Sequence, residues 1–134
     1  MVNLLKLKTV DPVVWCERNI QLDYGKFDSK KHPLMLEPLR AGARMRGGMV
    51  GVIGSVQIFK TLLAEILHLY RAHAAPARAA HYDLTLAAVK SFSEDKFQPL
   101  LKNTKVVMNV IFKDRKSQTT YYTAMPFGFI RLAS

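Results

Sequence analysis

The sequence predicts an α/β fold with helices covering a sheet, and three observations carry that expectation. Met49, Val50, Gly51, Val52 and Ile53 form a compact apolar run, too short for a helix and ended by Gly54, which suits a strand buried on both faces. From Lys60 onward Leu62, Leu63, Ile66, Leu67 and Tyr70 recur at three- and four-residue spacing, the mark of an amphipathic helix. Downstream, β-rich stretches alternate with helical ones, as α/β architectures require.

Taken in order, Asp11-Pro12 starts a short helix, with Asp11 as N-cap, proline at the first helical position and Trp15 turned toward the core. Pro12, Gly25, Pro33 and Pro38 otherwise break this region into short pieces, with a second helix over residues 34–43 and a break at Gly47-Gly48. We therefore expect a lead-in over residues 1–47 and a domain from residue 48. The strand at 49–53 is followed by a loop and by a helix ending near His73, ahead of Pro76. Residues 81–86 read as a strand and 87–97 as a helix, with Pro99 disturbing its end or beginning another. Residues 105–113, which include Val106, Val107, Val110 and Ile111, are β-rich and predict a strand, as do 118–123 and 128–133.

At 134 residues the chain is one domain of ordinary size or a piece of a larger protein. An apolar fraction of 49% with 22% charged residues excludes wholesale disorder and fibrous architectures. Glu65 and His68 interrupt the best membrane-span candidate, and the N-terminus has no secretory signal, so a cytosolic protein without a membrane role is expected. The single cysteine, Cys16, excludes an internal disulfide framework and reads as a small buried residue. Twenty Lys and Arg against ten Asp and Glu give a formal charge of +10 and a pI near 10.0, which favours nucleic acid as a partner or simply a solvated basic surface.

Between strand and helix lie Gly54, Ser55, Val56, Gln57, Ile58, Phe59, Lys60 and Thr61. They fit the phosphate-binding loop G-x-x-x-x-G-K-[ST] at three of its four defined positions, with Phe59 where the second glycine belongs. Such a loop aims amide N–H groups and a helix N-terminus at phosphate oxygens. Lys60 would reach the β- and γ-phosphates of ATP, and the Thr61 hydroxyl would ligate Mg²⁺. A Cβ at Phe59 hinders close approach and predicts weak binding. The competing reading is a Lys-Thr pair at an ordinary helix start.

His68 and His73 do not share a helical face and His32 and His81 lie in other segments, so no metal is assigned to histidine. Ser91 and Ser93 sit in an expected helix without a glycine elbow, so no nucleophile triad is read and no catalytic residue is assigned. Tyr121, Tyr122, Phe127 and Phe129 lie among Lys113, Arg115, Lys116 and Arg131, but alternating aromatics in strands favour core packing over base stacking.

In order along the chain, these segments resemble the ATPase region of the large terminase subunit of tailed bacteriophages, in the lambda-like branch that packages double-stranded DNA. Asp11-Pro12-Val13-Val14-Trp15-Cys16-Glu17-Arg18-Asn19 is similar to that family's opening, and Pro33-Leu34-Met35-Leu36-Glu37-Pro38-Leu39 to its stretch ahead of the nucleotide loop. Gln57, Lys60 and Thr61 match its Walker A loop, while Phe59 departs from it. Tyr82-Asp83-Leu84-Thr85 and Phe92-Ser93-Glu94-Asp95-Lys96-Phe97-Gln98-Pro99 are similar to its next strand, turn and helix, and Gly128-Phe129-Ile130-Arg131-Leu132-Ala133-Ser134 to a later strand. The nearest substitute for a Walker B strand, Val110-Ile111-Phe112-Lys113-Asp114, is interrupted by lysine.

The resemblance implies an incomplete P-loop NTPase core, three-layered with a mostly parallel sheet and helices on both faces, cut before Walker B and preceded by the lead-in. It also implies ATP and Mg²⁺ as cofactors, and double-stranded DNA, a small terminase subunit and the portal as partners in the cytoplasm of a bacterial host. Lys113, Arg115 and Lys116 are the expected DNA contacts. The rival expectation is a small basic non-catalytic nucleic-acid-binding or interaction protein, a remnant of such a gene.

Overall fold

The computed structural model describes residues 10–45, 48–55, 59–111, 113, 116, 118–125 and 128–134. Helix α1 (Pro12–Asn19) begins where the sequence places it. The Asp11 carboxylate accepts from the amides of Val13 at 3.0 Å and Val14 at 3.4 Å, and Pro12 stands in the first turn, where its missing N–H costs nothing. Trp15 and Cys16 are buried on its inner face. A two-stranded antiparallel hairpin follows, β1 (Gln21–Leu22) and β2 (Gly25–Lys26), turning at Asp23 and Tyr24. Gly25 closes the turn at φ +133°, where an L side chain is strained.

A single 3₁₀ turn (Pro33–Met35) leads into α2 (Leu36–Arg44). Arg40 Nε reaches back to the Asp11 carboxylate at 3.0 Å, so the residue that caps α1 also ties α2 to it. Both helices pack on α3 (Lys60–His73), in which Leu63, Ile66 and Tyr70 are buried as the periodicity predicts, Leu62 and Leu67 are half-buried, and Leu69, outside the predicted set, is buried. The rings of Trp15 and Tyr70 meet edge to face at 5.6 Å and 87°.

The sheet holds β3 (Ala79–Tyr82), β4 (Gln118–Thr119), β5 (Tyr122–Met125) and β6 (Gly128–Ala133) in the order β3-β6-β5-β4. It is mixed, consistent with α/β, and departs from the mostly parallel sheet expected. β3 runs parallel to β6, whereas the β4–β5 and β5–β6 pairs are antiparallel because short connections join them. Loop and strand approach closely at Gly128, where a Cβ would lie 2.3 Å from the Ala77 carbonyl oxygen.

Three further expectations are corrected. Residues 49–53 are not a strand: Met49 is 93% exposed and Ile53 102%, and no strand among the described residues pairs with them. An apolar run becomes a buried strand only when neighbours satisfy its backbone on both edges. The β-rich stretch at 105–113 begins instead as helix α6 (Lys105–Met108), started by bonds from the Val107 and Met108 amides to the Thr104 carbonyl and anchored by buried Val107. Packing overrides β-propensity there.

The strand expected at 81–86 ends at Tyr82, because Thr85 Oγ1 accepts from the Ala88 amide at 3.1 Å and starts α4 (Leu86–Ser91). That helix widens into a π-turn (Phe92–Phe97) and resumes as α5 (Gln98–Asn103), with Pro99 in its first turn.

Candidate functional site

Residues 49–55 run without regular structure, and residues 50–54, together with Leu34, Pro38 and Ala41, border a cavity of about 440 Å³. At its mouth Lys60, in the first turn of α3, donates from Nζ to the Gly54 carbonyl oxygen at 2.9 Å, closing the two ends of the loop on each other. The start of α3 has no side-chain cap, since Phe59 stands at the N-cap and no acid follows in the first turn. Amide N–H groups without a side-chain cap and an ammonium therefore stand together there, an arrangement that favours an anion.

Gly54, Ser55, Lys60 and Thr61 are exposed, Phe59 is half-buried, and Val56, Gln57 and Ile58 lie outside the described residues. Lys60 borders the first cavity. Thr61 borders a second, of about 560 Å³, between the β1–β2 turn, α3 and the π-turn with α5. Phe59 lines both. The two residues expected to share one phosphate site therefore border neighbouring cavities that have Phe59, the residue in place of glycine, in common.

Glu65, one helical turn beyond Thr61, stands in the sequence only as an interruption of an apolar run. In the fold it is 6% exposed and lines the second cavity, and among the described residues it makes no hydrogen bond or ion pair. Burial pushes its carboxyl up to about 7, with Lys96 pulling it down and Asp23 adding to the rise. The available signal was an acid set among Leu62, Ile66 and Leu69 on the apolar face of α3.

Of the basic group expected to contact DNA, Lys113 and Lys116 are exposed and Arg115 lies outside the described residues. In the Walker B substitute, Ile111 is buried in the bend after α6, and Phe112 and Asp114 lie outside the described residues. The rings of Tyr122 and Phe129 lie 5.6 Å apart, tilted by 32°, with Arg131 6.0 Å from the Phe129 ring centre.

The fold also joins His68 and His81, which the sequence leaves in separate segments. Their rings lie 5.6 Å apart, and His81 stacks flat on Phe92 at 3.9 Å and 5°. Burial pushes His68 down to about 4, with His81 adding to the effect. Among the described residues no three His, Cys, Asp or Glu side chains stand together to hold a metal ion, and no helix is long and apolar enough to cross a membrane. Burial, followed by Asp11 and Glu17, pushes the Cys16 thiol up to about 12, which leaves it inert as a nucleophile.

A family model described as phage terminase large subunit gpA, ATPase domain, matches residues 22–133. Neither the curated proteins nor the solved structures contain a match.

Proposed function

The chain belongs to the family of phage terminase large subunit gpA ATPase domains, and from that premise we propose that residues 54–61 hold Mg-ATP as part of a packaging ATPase. In this reading residues 48–134 are the first part of the P-loop domain and residues 1–47 its lead-in. The observation that carries it is the Lys60 ammonium resting on the Gly54 carbonyl at 2.9 Å, at a helix start with no side-chain cap. A cation already placed over the loop has only to exchange a carbonyl oxygen for phosphate oxygens. Gly54, Ser55, Val56, Gln57, Ile58 and Phe59 supply backbone N–H groups, and the Thr61 hydroxyl is the Mg²⁺ ligand. Mg²⁺ would neutralise phosphate charge.

Packaging double-stranded DNA into a capsid, with a small terminase subunit and the portal as partners in the host cytoplasm, is the role this reading assigns. The formal charge of +10 supports a polyanionic partner, with Lys113, Arg115 and Lys116 as its contacts.

Thermal melting with Mg-ATP tests the site. A ligand at 100 times its Kd adds about 2.7 kcal/mol to stability, so the melting temperature should rise. Lys60→Ala should abolish the rise, and Phe59→Gly, which restores the loop's second glycine, should enlarge it. Unchanged melting of both parent and Phe59→Gly at millimolar Mg-ATP would overturn the assignment.

A further inference from the structure

We propose that the cavity beneath the β1–β2 turn binds an organic cation, a guanidinium or ammonium group carried on an apolar stem, with Glu65 as its counter-charge. Glu65 as a residue is 6% exposed, makes no hydrogen bond or ion pair among the described residues, and borders a cavity of about 560 Å³ through which its carboxylate oxygens are open to an entering donor. The volume lies in the range of small-molecule sites, roughly 300–1,000 Å³.

The lining selects the ligand class. Asp23 from the hairpin turn and Asp95 from the π-turn add carboxylates, and Lys96 is the one cation among the described lining residues. With all three acids ionised the lining carries a net negative charge, inside a chain of net charge +10. Leu22, Leu62, Leu100 and Pro99 supply apolar wall, and Phe59 and Tyr24 supply aromatic rings that favour a cation near their faces. A bare metal ion would gain nothing from those walls, and no metal-binding cluster exists among the described residues. A π-turn on the rim fits this picture, since π-bulges are found frequently at functional sites.

Burial holds the Glu65 carboxyl near 7, so it is largely protonated in mildly acidic solution. A cation entering the site must find it ionised, and binding there releases a proton.

The test is calorimetric titration of the full chain with n-butylguanidinium, with n-butanol as the uncharged probe of equal stem length. Measurable saturable binding of butylguanidinium and none of butanol is expected, with proton release near pH 6 read from buffers of different ionisation heat. Glu65→Gln should weaken binding at least tenfold and remove the proton release. Lys96→Gln, which deletes the opposing cation, should tighten binding, an outcome that loss of folding cannot imitate. N-acetyl-arginine methylamide distinguishes the sources: comparable binding assigns the site to an arginine of a partner polypeptide, and exclusion of the peptide with retention of butylguanidinium assigns it to a free small cation. Equal affinity of the parent and Glu65→Gln, or butanol binding as well as butylguanidinium, would overturn the proposal. Lys60→Ala should leave this binding intact, so failure of the nucleotide assignment and failure of the cation site are read separately.

Discussion

The indole N–H of Trp15 donates to Nδ1 of His73 at 3.0 Å, across 58 residues of sequence. This bond joins the first helix to the last turn of α3, and the Tyr70 hydroxyl repeats the connection by donating to the Val10 carbonyl at 2.7 Å. Trp15 is the only tryptophan, so its fluorescence reports on this junction alone.

His73→Ala should therefore red-shift tryptophan emission and destabilise the chain by about 1–3 kcal/mol, the cost of stranding a buried donor. His73→Gln, which retains an acceptor, should recover part of the loss. Unchanged emission in His73→Ala would show that the bond does not persist in solution.

Two buried groups pull the pH dependence of stability in opposite directions. His68 falls from 6.5 to about 4 in the folded chain, so the unfolded state binds the extra proton between those values and stability rises with pH through that window. Glu65 rises from 4.5 to about 7, so the folded state binds the extra proton and stability falls as pH climbs through that window. Glu65→Gln should stabilise the chain relative to the parent more at pH 8 than at pH 4.5, and His68→Leu should flatten the rise between about 4 and 6.5. Urea unfolding midpoints across this range check both. A Glu65→Gln difference independent of pH would contradict the shift.

Gly128→Ala should be destabilising by about 1–3 kcal/mol, the usual cost of overpacking, because its Cβ would meet the Ala77 carbonyl oxygen at 2.3 Å and backbone cannot swing aside. Gly51→Ala, with no atom within 4 Å of the added methyl, is the matched control and should change the unfolding midpoint little. Equal effects would show that β6 does not sit against that loop.

Duplex DNA should bind with little sequence preference and with affinity falling steeply with salt, at a log-log slope of about −0.9 per phosphate neutralised. Replacing Lys113, Arg115 and Lys116 by glutamine should lower affinity uniformly and make the slope shallower by about one unit for each phosphate no longer neutralised. The exposed Lys26, Lys30 and Lys31 form the control group, expected to matter less. Equal losses of affinity from both triple replacements would mean diffuse attraction without a defined surface.

Features governed by residues a few positions apart were legible without coordinates. Asp11-Pro12 announces α1 because a carboxylate reaches amides two and three residues on, and the apolar spacing from Leu62 to Tyr70 announces α3 because a helix repeats every 3.6 residues. The strand expected at 128–133 is β6 (Gly128–Ala133), and the loop residues Gly54, Lys60 and Thr61 stand out from spacing alone. The terminase resemblance, carried by named segments in order from Asp11 to Ser134, is supported by the family model.

Tertiary structure decided whatever depends on distant partners. Residues 49–53 have the composition of a strand, but pairing requires another segment's N–H and C=O groups alongside, and none of the described strands provides them. Residues 105–108 are β-branched in part yet helical, because burying Val107 against α3 and α5 outweighs a propensity of a fraction of a kcal/mol. Likewise Glu65 came to line a cavity only when the β1–β2 turn and the π-turn closed over it, and Phe59 came to line two cavities only where distant segments meet it. A sequence specifies which side chains favour burial or charge, but what each one faces is set by segments brought together from far along the chain.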